Sequence, residues 1–255
     1  MNVRAKQTVV ALAVLVGAGF LSSAAAAAEP TYLYQATFIR AAPGKLLELI
    51  DLFKGRMDVI AAGGDEKPFW WRHTQGDQWD LMLLFPMESY SAFYAPDRVA
   101  RRAKAAGASA LPASEFKTKL GDCTAWREDM LVYGPPLETV RQGFTGTSFY
   151  HLEIFASLPG KQAALYRQRE MEGAYQVAIG RPGYMIFVRD LGAPWDIFTL
   201  DCYRDQKHWS ESGDISKEKR DRAARQAGFE SSDAIGPTMR TLADFHRDTQ
   251  GVAIR

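Results

Sequence analysis

Two short stretches carry most of the chemistry this sequence offers. In Phe149–Phe155, strand-like alternation puts His151 and Glu153 on one face and Tyr150, Leu152 and Ile154 on the other. Near the C-terminus His246 and Asp248 also share a face. If both pairs face the same space, two imidazoles and two carboxylates converge. Such a group can work as general acid and base or as a donor set for a metal. His151, Glu153, His246 and Asp248 are therefore the catalytic candidates, with Asp201, on the predicted face of Thr199, a further carboxylate in the same half. The competing reading is a cross-strand polar pair that satisfies itself. The pattern is read with the apolar face of the strand toward helices and His151 and Glu153 toward the space between two sheets.

Other motifs are fewer. There is no Walker-type glycine loop, no G-x-G-x-x-G after a strand, no H-E-x-x-H, no C-x-x-C and no G-x-S-x-G elbow. No cofactor and no metal is assigned from a motif. Trp79-Asp80 and Trp195-Asp196 occur in equivalent contexts, which favours a structural role: a large side chain at a strand start and an Asp binding turn amides. Phe69, Trp70 and Trp71 could line an apolar pocket, though core packing is the commoner fate of such residues. His73 and His208 are candidates for haem ligation only on the strength of aromatic neighbours. The basic stretches Arg98–Lys104 and Lys217–Arg225 read as solvated helix faces.

The elements that must position these residues are written twice. Tyr34–Phe93 aligns with Tyr150–Trp209 at a constant shift of 116, with eleven identities over 60 positions. Pro43-Gly44-Lys45 matches Pro159-Gly160-Lys161, Gly76 matches Gly192, and Trp79-Asp80 matches Trp195-Asp196. The closing strands align at a shift of 119, which sets Trp126 on Phe245, Arg127 on His246 and Asp129 on Asp248. Each copy reads as a strand, a helix opened by Pro-Gly-Lys, a hairpin, further helices and a last strand. The first copy, 31–134, carries Gln35, Thr37, Arg127 and Asp129 where the second, 148–255, carries His151, Glu153, His246 and Asp248. Titratable groups concentrated in one half are what an asymmetric site would look like. Gly134–Thr147, with Pro135-Pro136, reads as a linker spanning 135–147.

The 255 residues are 47% apolar and 24% charged, an ordinary globular composition that excludes disordered, collagen-like and coiled-coil chains. A net charge of +1 points to neither nucleic acid nor anionic lipid. Residues 1–28 have a basic start (Arg4, Lys6), an apolar run from Val9 to Leu21 and alanines before Glu29. This is the pattern of a cleaved signal peptide, since the run is well short of the roughly 20 residues that span a bilayer. A periplasmic or secreted protein with no membrane segment after cleavage is expected. Cys123 and Cys202 could bridge in such a compartment, but they occupy non-equivalent places in the copies, and buried thiols are the alternative.

The order β-α-β-β-α-β in each copy is the ferredoxin-like unit. With its duplication and its strand–Pro-Gly-Lys–helix openings, the chain resembles tandem members of the dimeric α/β-barrel superfamily. Within it, the antibiotic-biosynthesis-monooxygenase and NIPSNAP-type branches are the most similar. The fold class is α+β, two tandem ferredoxin-like repeats in a barrel-type arrangement. The resemblance implies a barrel holding a small hydrophobic organic molecule, and association into a homodimer. The superfamily includes cofactor-free oxygenases, isomerases, haem proteins and members with no known reaction; a cofactor-free oxygenase or isomerase fits it, and the strand pattern would then make His151 the base or acid oriented by Glu153. A ligand-binding or interaction protein without turnover and a haem binder are the alternatives.

Overall fold

The computed structural model describes residues 30–254; the segment 1–28 lies outside the described residues. The first copy comprises β1 (Tyr32–Ala41), α1 (Leu46–Ala62), β2 (Phe69–Gln75), β3 (Leu81–Glu88), α2 (Tyr90–Phe93), α3 (Pro96–Gly107), α4 (Ala113–Cys123) and β4 (Thr124–Gly134). The stretch read as a linker holds α5 (Leu137–Phe144). The second copy comprises β5 (Phe149–Ser157), α6 (Gln162–Ile179), β6 (Met185–Leu191), β7 (Ile197–Tyr203), α7 (Gln206–Ser210), α8 (Lys217–Ala227), α9 (Ile235–Arg240) and β8 (Ala243–Ala253). The duplication read from the sequence is thus a duplication of structure.

The eight strands close one antiparallel barrel in the order β1-β3-β2-β8-β5-β7-β6-β4. Two seams join the copies: β2 pairs with β8, and β4 with β6. The barrel therefore closes within a single chain and leaves no unpaired sheet edge. Each hairpin turn lies against the last strand of the other copy, and glycine is required there. A Cβ on Gly76 (φ +105°) would sit 2.1 Å from the Asp248 carbonyl oxygen, and one on Gly192 (φ +84°) 2.5 Å from that of Asp129.

The barrel interior is a core shared by both copies, with Tyr34, Phe38, Trp71, Leu84, Val132, Leu152, Ile154, Phe187, Phe198 and Leu200 all buried in it. Aromatic rings fill its middle: Phe187 stacks on Phe198 at 4.5 Å between centroids, and Phe38 meets Trp195 at 4.9 Å. Helix α5 plugs one end. Its Val140 is buried in this core, and its Phe144 ring lies 5.0 Å from that of Tyr150. The protein's own side chains fill the middle of the barrel, and open space lined by interior residues lies at one end.

Helices cover the outside. In the first copy α1 lays Leu49, Ile50, Phe53 and Met57 on Ile39, Leu81 and Leu83 of the sheet. That is an apolar seal, worth roughly 1.5–3 kcal/mol for each large side chain buried. In the second copy α6 buries Gln168, Arg169 and Gln176 alongside Leu165 and Ile179. The same layer is apolar beneath α1 in one copy and mixes apolar with buried polar side chains beneath α6 in the other. Cys123 lies in the outer layer of the first copy and Cys202 in the barrel interior; both are free thiols.

Candidate functional site

The strand register assembles the second-copy residues. His151 on β5 stands opposite Asp201 of β7, and Glu153 opposite Asp248 of β8. His151 Nδ1 is 3.1 Å from Asp201 Oδ1, and His151 Nε2 is 3.3 Å from Asp248 Oδ1. His246 Nε2 lies 3.3 Å from the other oxygen of Asp248. All four candidates therefore meet, with Asp201 a fifth member. Their direction is the reverse of the expected one. Tyr150, Leu152 and Ile154 face the barrel interior, and His151 and Glu153 face outward beneath α6. Both faces of β5 are covered, so alternation alone identified the two faces without saying which was inside.

The network is built from neighbouring elements. Arg169 of α6, 2% exposed, donates from Nη1 to Glu153 Oε2 at 2.6 Å, and from Nη2 to Glu172. Its guanidinium lies 4.5 Å from the centre of the Phe155 ring. Tyr203 donates to Asp201, and Arg181 donates to the Tyr203 hydroxyl at 2.6 Å. Burial alone would lower the His151 imidazole. The charge and hydrogen bond of Asp201, with the hydrogen bond to Asp248, outweigh it and push the group up to about 10. The hydrogen bond from His151 holds Asp248 below the usual carboxylate range, against its partial burial. Burial raises Glu153, and Arg169 opposes the rise.

The first copy shows what this layer looks like without such a site. Phe53 takes the place of Arg169 and Phe85 that of Asp201. Asp129, the counterpart of Asp248, is engaged by Thr37, by Gln35 at 3.0 Å and by Arg127 at 2.8 Å.

A second feature opens at the barrel end opposite α5. Trp79, Trp126, Trp195, Ile154, Glu128 and Phe245 wall a cavity of about 150 Å³ there. The Trp195 indole N–H donates to Glu128 Oε2 at 3.1 Å. Burial raises the Glu128 carboxyl above its ordinary value, although the Trp195 hydrogen bond opposes this. Arg247, also at this mouth, is held by Asp77 at 2.7 Å. Asp80 and Asp196 accept the backbone N–H groups at the ends of β1 and β5, from Ala41 and Ser157, each at 2.8 Å, and not turn amides as expected. The tryptophans beside them were read as structural only, and Glu128 was missed. The available signal was the alignment of Glu128 with Arg247 at the shift of 119, an acid facing a base at equivalent places.

The mouth cavity and a surface groove of about 580 Å³ over the β2–β8 seam are lined without histidine. His73 Nε2 accepts the Asp77 backbone N–H at 3.1 Å, and His208 Nδ1 accepts that of Arg204 at 3.4 Å.

The closed eight-stranded barrel of two ferredoxin-like halves, helices outside, is the dimeric α/β-barrel fold in tandem form. Solved structures share it. An anthrone oxidase-like protein superposes with a TM-score of 0.55 at 12% identity, covering 90% of this chain and 94% of its own. A proposed monooxygenase from Fusobacterium nucleatum subsp. nucleatum gives 0.54 at 9%, covering 88% and 93%. Another, from Lactobacillus acidophilus NCFM, gives 0.51 at 9%, covering 88% and 96%. At these identities the likeness establishes fold and nothing finer. No family model matches the sequence, and no curated protein does.

Proposed function

We propose that the protein is an exported barrel that binds a small, ring-shaped organic molecule at the mouth beside Glu128. The carrying observation is the aromatic-walled cavity of about 150 Å³ with a half-buried carboxyl at its wall. An apolar cavity of about that volume accommodates benzene, so a single-ring ligand is the size class. Glu128, raised by burial, favours a ligand that carries a hydroxyl, with which it can share or exchange a proton. Proton removal from such a ring is the step common to isomerisation and cofactor-free oxygenation, and Glu128 is the residue placed for it. His151 and Glu153 lie beyond the barrel wall, on the face of β5 opposite Ile154, and do not serve this ligand. The three similar structures support the reading only through their fold.

Export rests on residues 1–28, with the periplasm or the exterior as destination. Among the described residues no helix is long and apolar enough to cross a membrane. Association into a homodimer would use outer surfaces, since the sheet has no free edge.

Calorimetric titration with phenol and with toluene tests the reading. Phenol should bind more tightly than toluene, and Glu128→Gln should remove most of that difference. Equal affinity for both in the native protein, or no binding of either, would overturn it.

A further inference from the structure

We infer that the outer face of the second copy is a divalent-metal site, with His151, Glu153 and Asp248 as ligands and His246 at its edge. One donor atom from each of the three ligands lies within 4.8 Å of the others, a set that one ion can draw together. His246 Nε2 approaches the second Asp248 oxygen at 3.3 Å, at the border of this three-residue set. Mixed imidazole and carboxylate donors suit zinc, manganese, iron(II) or cobalt(II).

Three features separate this group from an ordinary surface cluster. First, each inner donor is oriented from behind. Asp201 holds His151 Nδ1 at 3.1 Å and so turns Nε2 toward Asp248, the carboxylate–histidine arrangement found behind metal-bound imidazoles. Arg169 fixes Glu153 through Oε2, and its other carboxylate oxygen is free of that contact. Second, access is graded: His151 is 13% exposed and Asp248 55%, so an ion can enter from solvent over Asp248. Third, the first copy supplies its own contrast. There Asp129 carries the guanidinium of Arg127 at 2.8 Å, a built-in cation. At the position of Arg127 the second copy has His246, whose imidazole, unlike a guanidinium, can donate a lone pair to a metal.

The site is independent of the mouth ligand, because the barrel wall stands between them. Protein purified without a polyhistidine tag and stripped with EDTA would be dialysed against zinc chloride and, separately, manganese chloride, and the bound metal counted by plasma mass spectrometry. One equivalent of zinc or manganese per chain is expected. Asp248→Asn and His151→Gln, the latter installing the first copy's residue, should each weaken binding at least tenfold. Asp201→Asn, a positioning change, should weaken it about 10–100-fold. Asp129→Asn should leave it unchanged. With cobalt(II), the visible bands of an imidazole-bound ion should appear in the native protein and be altered in His151→Gln. Failure to retain a stoichiometric ion of either metal, or retention unaffected by Asp248→Asn and His151→Gln together, would overturn the assignment.

Discussion

Replacing Arg169 by the first copy's Phe tests whether the polar layer is kept for stability or for use. Arg169 is 2% exposed and holds both Glu153 and Glu172. Arg169→Phe leaves Glu153, itself 12% exposed, with His151 as its remaining basic neighbour. Removing one partner of a buried pair costs up to about 3–5 kcal/mol, a loss that His151 and proton uptake by the raised Glu153 carboxyl reduce. Glu172 adds less, since Tyr184 and Gln168 still donate to it. The double change Arg169→Phe with Glu153→Thr rebuilds the first copy's pair, Phe53 and Thr37. Exchanging a buried ion pair for packed neutral groups is often neutral or stabilising, so the double variant should recover most of the loss. Urea unfolding of the native protein, both single variants and the double completes the cycle. A coupling of at least about 2 kcal/mol is expected, within the usual range for contacting residues. Additive losses, or an Arg169→Phe variant within about 1 kcal/mol of the native protein, would refute a buried Glu153–Arg169 pair.

Further outcomes follow from the same geometry. In metal-free protein the His151 ring should titrate near 10 by NMR. Two charges 3.1 Å apart interact by roughly 5 kcal/mol at an effective dielectric constant of about 20, so Asp201→Asn should lower that titration by at least about two units. Because the folded value is raised above 6.5, the His151 contribution to stability is complete below about 6.5 and is lost as pH rises through about 10. Asp248, held low, contributes the opposite limb, lost as pH falls through the acid range. Urea midpoints measured across pH should show a plateau between these limbs, and Asp201→Asn should flatten the alkaline one. Gly76→Ala forces a Cβ toward the Asp248 carbonyl at positive φ. It should lower the thermal midpoint, with backbone strain alone worth about 1–3 kcal/mol. Cys123 and Cys202 lie on opposite faces of the barrel wall. Thiol counting of the unfolded protein should therefore find both free, and a reductant should leave the melting temperature unchanged.

Much of this fold was legible because duplication repeats the residues with demanding backbone geometry. Gly76 and Gly192 align because each sits against a strand of the other copy, a long-range reason that leaves a local trace. The closure of the barrel was not legible, since the β2–β8 and β4–β6 pairings join segments with no shared motif. For the candidate site, periodicity found which residues share a face but not which face is covered by α6. The polar character of α6 around Arg169 held that information, because a buried polar helix face requires a polar strand face beneath it. The mouth was missed for a different reason. Trp79 and Trp195 recur in both copies, which argues for structure, yet both line the same pocket.

The most direct test of ligand binding at the mouth uses the six indole N–H groups of the chain. In ¹H–¹⁵N spectra recorded with increasing phenol, the indole signals of Trp79, Trp126 and Trp195 should shift together and saturate. Those of Trp70, Trp71 and Trp209 should hold their positions. Saturable shifts confined to the second set, or no shift at any indole, would contradict a ligand seated beside Glu128.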